Sequence, residues 1–77
     1  MRLSERIRVA RRKAGLSQQQ LAAELRINRS AVTNCECAEG AKVTTTNLIL
    51  IATVTEVSFD WLATGRGAMR RQTHPDQ

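Results

Sequence analysis

The stretch LSQQQLAAELRINRSAVTNCE, residues 16–36, decides how the rest of the chain is read. The Ser17 hydroxyl can accept from the backbone of a following first turn, and Gln20 three residues on can reciprocate; this capping pattern predicts a helix over 18–25. Leu21, Ala22 and Leu25 form its inward face, and Arg26, Ile27 and Asn28 leave only a short connector. Asn28 is a good cap for a further helix with Ala31, Val32 and Cys35 as its inward stripe, fraying near Glu36 to Ala38. Two helices joined so tightly must cross steeply, and the small Ala22 lets them approach. With Ala22, the turn residue Ile27 and Val32 turned inward, Arg29, Ser30, Thr33 and Asn34 are forced outward. All four are short or flexible hydrogen-bonding side chains without a carboxylate, which suits a surface pressed against phosphates and base edges.

Helix punctuation continues on both sides of this unit. Upstream, Ser4 is a candidate cap, Ile7, Ala10 and Ala14 share a face, and Gly15 is a stop signal, giving a first helix over 5–14. Downstream, Thr44 can cap a fourth helix with Leu48, Ile51 and Ala52 inward, ending at Thr55 to Val57. Ser58 caps a last helix carrying Phe59, Trp61 and Leu62, closed by Gly65. Strand alternation is nowhere sustained, so the expected class is all-α with five helices. The expected domain covers residues 1–65, and the polar remainder 66–77, which contains Pro75, is expected to be a mobile tail.

A chain of 77 residues allows one small domain. It buries only roughly 60% of its unfolded surface, which leaves no room for a deep cleft between lobes and disfavours most enzyme architectures. The longest apolar run, Leu48 to Ala52, is far below the ~20 residues of a membrane span and too short for a signal-peptide core, so a soluble, intracellular, cytoplasmic protein is expected. Cys35 and Cys37 are the only cysteines and would point to nearly opposite faces of a helix; with His74 the sole histidine, no zinc quartet can form. Both are expected as free thiols, and no metal or cofactor is expected.

The net charge is +5 and is unevenly placed. Residues 1–13 carry Arg2, Arg6, Arg8, Arg11, Arg12 and Lys13 against Glu5 alone, whereas residues 35–64 set Lys42 against Glu36, Glu39, Glu56 and Asp60. An asymmetric basic domain most simply meets a polyanion, because each neutralised phosphate releases condensed counterions.

These residues together resemble a known group. The segment 16–36, followed by TTTNLILIATVTEVSFDWLATG at 44–65, is similar to the Cro and phage-repressor (XRE-type) class of helix-turn-helix regulators. The likeness covers about residues 3–67 and rests on Gln18, the Leu21–Ala22 pair, Arg29 to Val32, Glu36 and the closing SFDWLATG. Where the class usually has Gly, Pro or a bulky aromatic, this chain has Arg26, Ala38 and Glu56 (for Gly), Val43 (for Pro) and Cys35 (for the aromatic). The resemblance implies a five-helix lambda-repressor-like domain, a double-stranded DNA operator as partner, and homodimeric binding to a palindrome with the third helix in the major groove. It implies base reading by Arg29, Ser30, Thr33 and Asn34, with Arg29 suited to guanine and Asn34 to adenine. It further implies phosphate contacts from Gln18, Asn28, Lys42, Thr44, Thr45 and Thr46.

Ile49 and Leu50, on the side of the fourth helix away from Leu48 and Ala52, together with Trp61 are the candidate dimer surface. Phe59 and Trp61 at helical spacing beside Leu62 read as core and interface rather than as a stacking platform. The competing reading is an antitoxin-like or bridging module that uses the same fold to hold another protein. An enzyme reading finds no nucleophile, metal set or paired carboxylates in its support, and no small-molecule ligand domain is evident.

Overall fold

The computed structural model describes residues 2–36 and 43–70. It contains α1 (Leu3–Lys13), α2 (Gln18–Leu25), α3 (Arg29–Cys35), α4 (Thr45–Thr55) and α5 (Phe59–Thr64). Among the described residues there is no strand, only an isolated antiparallel bridge between Val57 and Arg70. α3 lies against α2, α2 and α1 both pack on α4, and α5 closes against α1 and α4.

Each helix contributes one fully buried large side chain to a common core: Ile7, Leu21, Val32, Ile51 and Leu62. Burying such a side chain is worth about 1.5–3 kcal/mol, so no helix can leave the bundle without exposing one of these anchors. Ala10, Ala22 and Ala52 fill the close approaches between them. Of the alanines that the periodicity puts on inward faces, Ala10, Ala22 and Ala52 are buried, whereas Ala14 is exposed and Ala31 only half-buried.

Local chemistry fixes the boundaries. Ser17 and Gln20 cap α2 reciprocally, with Gln20 N donating to Ser17 Oγ at 3.0 Å and Ser17 N to Gln20 Oε1 at 2.8 Å. Thr44 Oγ1 accepts from Asn47 N at 3.1 Å, and Ser58 Oγ accepts from Trp61 N at 3.4 Å. The start of α1 differs from the expected cap at Ser4. Arg2 holds the cap position and its backbone N–H donates to Glu5 Oε1 at 3.0 Å, so the carboxylate does the capping while Ser4 is buried inside the first turn. That bond from the Arg2 backbone holds the Glu5 carboxyl below its ordinary range.

Two of the charges counted as surface charge lie inside. Arg6 donates from Nε to the Leu62 carbonyl at 2.8 Å and from Nη2 to the Ala63 carbonyl at 3.1 Å, satisfying the C-terminal carbonyls of α5. Gly65 follows with φ +77, where a side chain would carry a backbone penalty, and a Cβ there would lie 3.1 Å from the Arg6 guanidinium, which would have to shift slightly to admit it. Beyond Gly65, Ser58 N donates to the Met69 carbonyl at 2.8 Å and Met69 packs against the core; residues 71–77 lie outside the described residues. Phe59 is also displaced from its expected place in the core: it is exposed, whereas Trp61 is half-buried against the core.

Arg26 and Glu56 end α2 and α4 with φ of 57° and 58°, in the left-handed region. Both stand where the class the sequence resembles usually has glycine, and a side chain there carries a backbone penalty. Arg26→Gly is expected to raise folding stability by about 0.5–1 kcal/mol, the left-handed penalty less the extra unfolded-state entropy of glycine. A urea-unfolding midpoint unchanged or lowered in that variant would contradict the strain.

Candidate nucleic-acid interface

The outer face of α3 is built by what lies beneath it. Val32 and Cys35 point into the core, so Arg29, Ser30, Thr33 and Asn34 stand exposed on the other side, as the spacing predicts. Together with Gln18 from the first turn of α2 they line one shallow, open depression. No carboxylate lines it, and it offers a guanidinium, two amides and two hydroxyls within one surface.

Gln18 is not a solvated side chain. Its Nε2 donates to Glu36 Oε1 at 3.2 Å, and its Oε1 accepts from the Thr33 hydroxyl at 3.1 Å. Glu36 itself is almost fully buried at 3% exposure. Its carboxylate receives both Nε and Nη2 of Arg11, the latter at 3.1 Å, in the two-pronged geometry that suits a guanidinium to a carboxylate. Arg11 Nη1 also donates to the Leu16 carbonyl at 2.8 Å, which fixes the turn leading into α2. Arg8 donates to the Glu36 backbone carbonyl at 3.0 Å, closing the C-terminal end of α3.

A single carboxylate therefore joins α1, α2 and α3, and it does so directly under the exposed polar face. Together with the Arg6 bonds to the end of α5, this network takes two arginines out of the exposed basic charge of residues 1–13. Arg6 and Arg11 are buried; Arg2, Arg8, Arg12 and Lys13 reach the surface. Sequence reading singled out Glu36 without its partner. The available signal was that Arg11 lies four residues after Ile7 and next to Ala10, on the inward stripe of the first helix.

The remaining candidates are placed as follows. Asn28 occupies the cap position of α3 in an extended conformation, is exposed, and makes no capping bond from its side chain. Thr44, Thr45 and Thr46 are exposed at the start of α4; the Thr44 oxygen is used as the cap acceptor, which leaves its O–H able to donate outward. Lys42 lies outside the described residues, as does Cys37. Burial pushes the Cys35 thiol up from its ordinary value and the adjacent Glu36 charge adds to this, so it stays protonated and a poor nucleophile. Ile49, Leu50 and Phe59 are the exposed large apolar side chains among the described residues, and all lie on α4 and α5. Among the described residues no cluster of histidine, cysteine, aspartate and glutamate could hold a metal ion, and no helix is long and apolar enough to cross a membrane.

Truncating Arg11 to Ala would leave the Glu36 charge buried without its main partner. Loss of one member of such a pair costs about 3–5 kcal/mol, a large share of the stability of a small domain. Arg11→Ala is thus expected to melt far below wild type by circular dichroism. Cooperative melting close to wild type would show that the pair does not hold the helices.

Comparison with known proteins gives one finding that bears on this site. The sequence profile of the Helix-turn-helix family matches residues 7–62, from the core anchor of α1 to that of α5. No curated protein matches the chain.

Proposed function

Because the chain belongs to the XRE-type, Cro/C1-like helix-turn-helix family, a family of DNA-binding regulators, we propose that it is a sequence-specific repressor of phage or prophage type. In this reading α3 enters the major groove of a palindromic operator, and the protein acts in the cytoplasm as a homodimer. One observation carries it: Arg29, Ser30, Thr33, Asn34 and Gln18 share a single carboxylate-free depression on the outer side of the short α3. Such a face can donate to and accept from base edges while the half-buried Gln18 amide meets the backbone. Thr44 to Thr46 and Lys42 would grip the flanking phosphates, and Asn28 would do so at the start of α3. These contacts, with the exposed cations Arg2, Arg8, Arg12 and Lys13, supply affinity without sequence information, so binding weakens steeply with salt.

Base reading is tested by Arg29→Ala and Asn34→Ala. Each is expected to lose about 1–3 kcal/mol on the preferred duplex and to flatten the preference at particular base pairs, because a bidentate base contact disappears. Binding-site profiles selected from random duplex measure this. Profiles identical to wild type for both variants would remove α3 as the reader.

One such unit reads only a few base pairs, and two copies related by a two-fold axis would place their α3 helices about 34 Å apart, one turn of duplex. The exposed Ile49 and Leu50 of α4, with half-buried Trp61 of α5, are the surface proposed for that contact. Leu50→Glu should reduce cooperative occupancy of a palindrome while circular dichroism stays that of the folded monomer. Undiminished palindrome binding by the variant would place the contact elsewhere.

A further inference from the structure

The buried network does more than hold Gln18 in place; it fixes which way every hydrogen bond in it runs. The Glu36 carboxylate, paired with the Arg11 guanidinium, has only acceptors. Gln18 must therefore turn its NH2 group toward Glu36, at 3.2 Å, and its carbonyl oxygen away. That oxygen faces the Thr33 hydroxyl at 3.1 Å and can only accept, so the Thr33 proton is committed to Gln18. A hydroxyl has one proton and two lone pairs, and with the proton turned inward only lone pairs remain for a ligand.

The geometry points to Thr33 as a specificity-determining residue that presents an acceptor alone to the base in front of it, selecting an amino base (adenine or cytosine) over a keto base (guanine or thymine) on the strand it faces. This rests on the reading of α3 as the groove-entering helix. In the major groove adenine N6 and cytosine N4 are donors, whereas thymine O4 and guanine O6 are acceptors that would meet the Thr33 lone pairs with repulsion. Gln18, Glu36 and Arg11 are positioning residues in this account: none needs to touch a base, yet together they set the polarity of the hydroxyl that does. The second N–H of Gln18 remains available to a phosphate, so the same amide links backbone contact to base choice.

The experiment is selection of bound sequences from a random duplex pool with wild type, Thr33→Val, Thr33→Ser and Gln18→Ala. Thr33→Val identifies the position concerned as the one that loses its preference. In wild type that position should favour adenine or cytosine over guanine or thymine by about fivefold, the value of one neutral hydrogen bond. Thr33→Ser, which keeps the hydroxyl, should keep that preference. Gln18→Ala should bind more weakly throughout and should lose the amino preference at this position alone, because the released hydroxyl can then donate to a keto oxygen. A wild-type preference for guanine or thymine there, a Thr33→Val profile changed at no position, or an amino preference that survives in Gln18→Ala would each overturn the assignment. If wild type enriches no position at all, it is the proposal of sequence-specific binding that fails; an otherwise informative profile with the wrong base at this position sinks only the role of Thr33. Both Thr33 variants alter an exposed side chain, so they decide the matter even if Gln18→Ala does not fold.

Discussion

A carboxylate taken out of water costs several kcal/mol unless its lone pairs are met, and the Glu36 side chain at 2% exposure is in that position. The fold answers with one group from each neighbouring helix: the Arg11 guanidinium from α1 and the Gln18 amide from α2, while the Glu36 backbone closes α3 through N–H bonds to the Val32 and Thr33 carbonyls. Any shift of α3 along α2 would break these bonds at once. The apolar core sets that the five helices pack; the buried charge sets where α3 stops relative to the other two. An apolar pair of similar volume could be as stable, so the advantage of the ionic arrangement lies in direction. Hydrocarbon side chains have no donors and acceptors to orient, and so could not hold the Gln18 amide in one sense.

Most of the architecture was legible because short-range signals and long-range packing agree. The Ser17–Gln20 box, the stops at Gly15 and Gly65 and the caps Thr44 and Ser58 mark helix ends at the residues where the chain uses them. The bounds of α2 match the expectation because both of its ends carry strong local chemistry: a reciprocal cap at one and a left-handed residue at the other. The start of α1 was misplaced because a serine is an attractive cap, whereas here a carboxylate three residues into the helix captures the N–H of a residue whose own side chain is unremarkable in that role. The segment after Gly65 carries no apolar periodicity. A single bridge and one apolar residue, Met69, tie it back, and neither leaves a periodic trace.

The site divides differently. Which side chains of α3 face outward follows from the inward stripe and was readable from spacing. That these side chains are connected to one another was not, because the connection runs through partners eighteen and twenty-five residues from Glu36. Counting charges treats every arginine as solvated, yet Arg6 and Arg11 spend their donors on carbonyls and on Glu36. The exposed charge of α1 thus comes from fewer residues than composition suggests. Arg26 and Glu56 show the opposite case: the left-handed backbone was legible as a departure from glycine, and the fold keeps it because the αL residue lets the next N–H reach back, Ile27 to the Ala22 carbonyl and Val57 to the Ala52 carbonyl, both near 3 Å.

The central claim is that the buried pair orients the reading face as well as stabilising the bundle, and the two roles separate in the variant Arg11→Met combined with Glu36→Leu. Two apolar side chains of similar size leave no buried charge unpaired, since Arg8, which loses its ion pair with Glu36, is half exposed, so this variant should fold. The deciding measurement is its affinity for the preferred duplex divided by its affinity for unrelated duplex, at fixed salt. The account predicts a folded protein whose ratio falls severalfold, because Gln18 and Thr33 lose their fixed polarity while the phosphate contacts remain. A folded double variant that discriminates as wild type does would show that Glu36 only stabilises and has no part in reading.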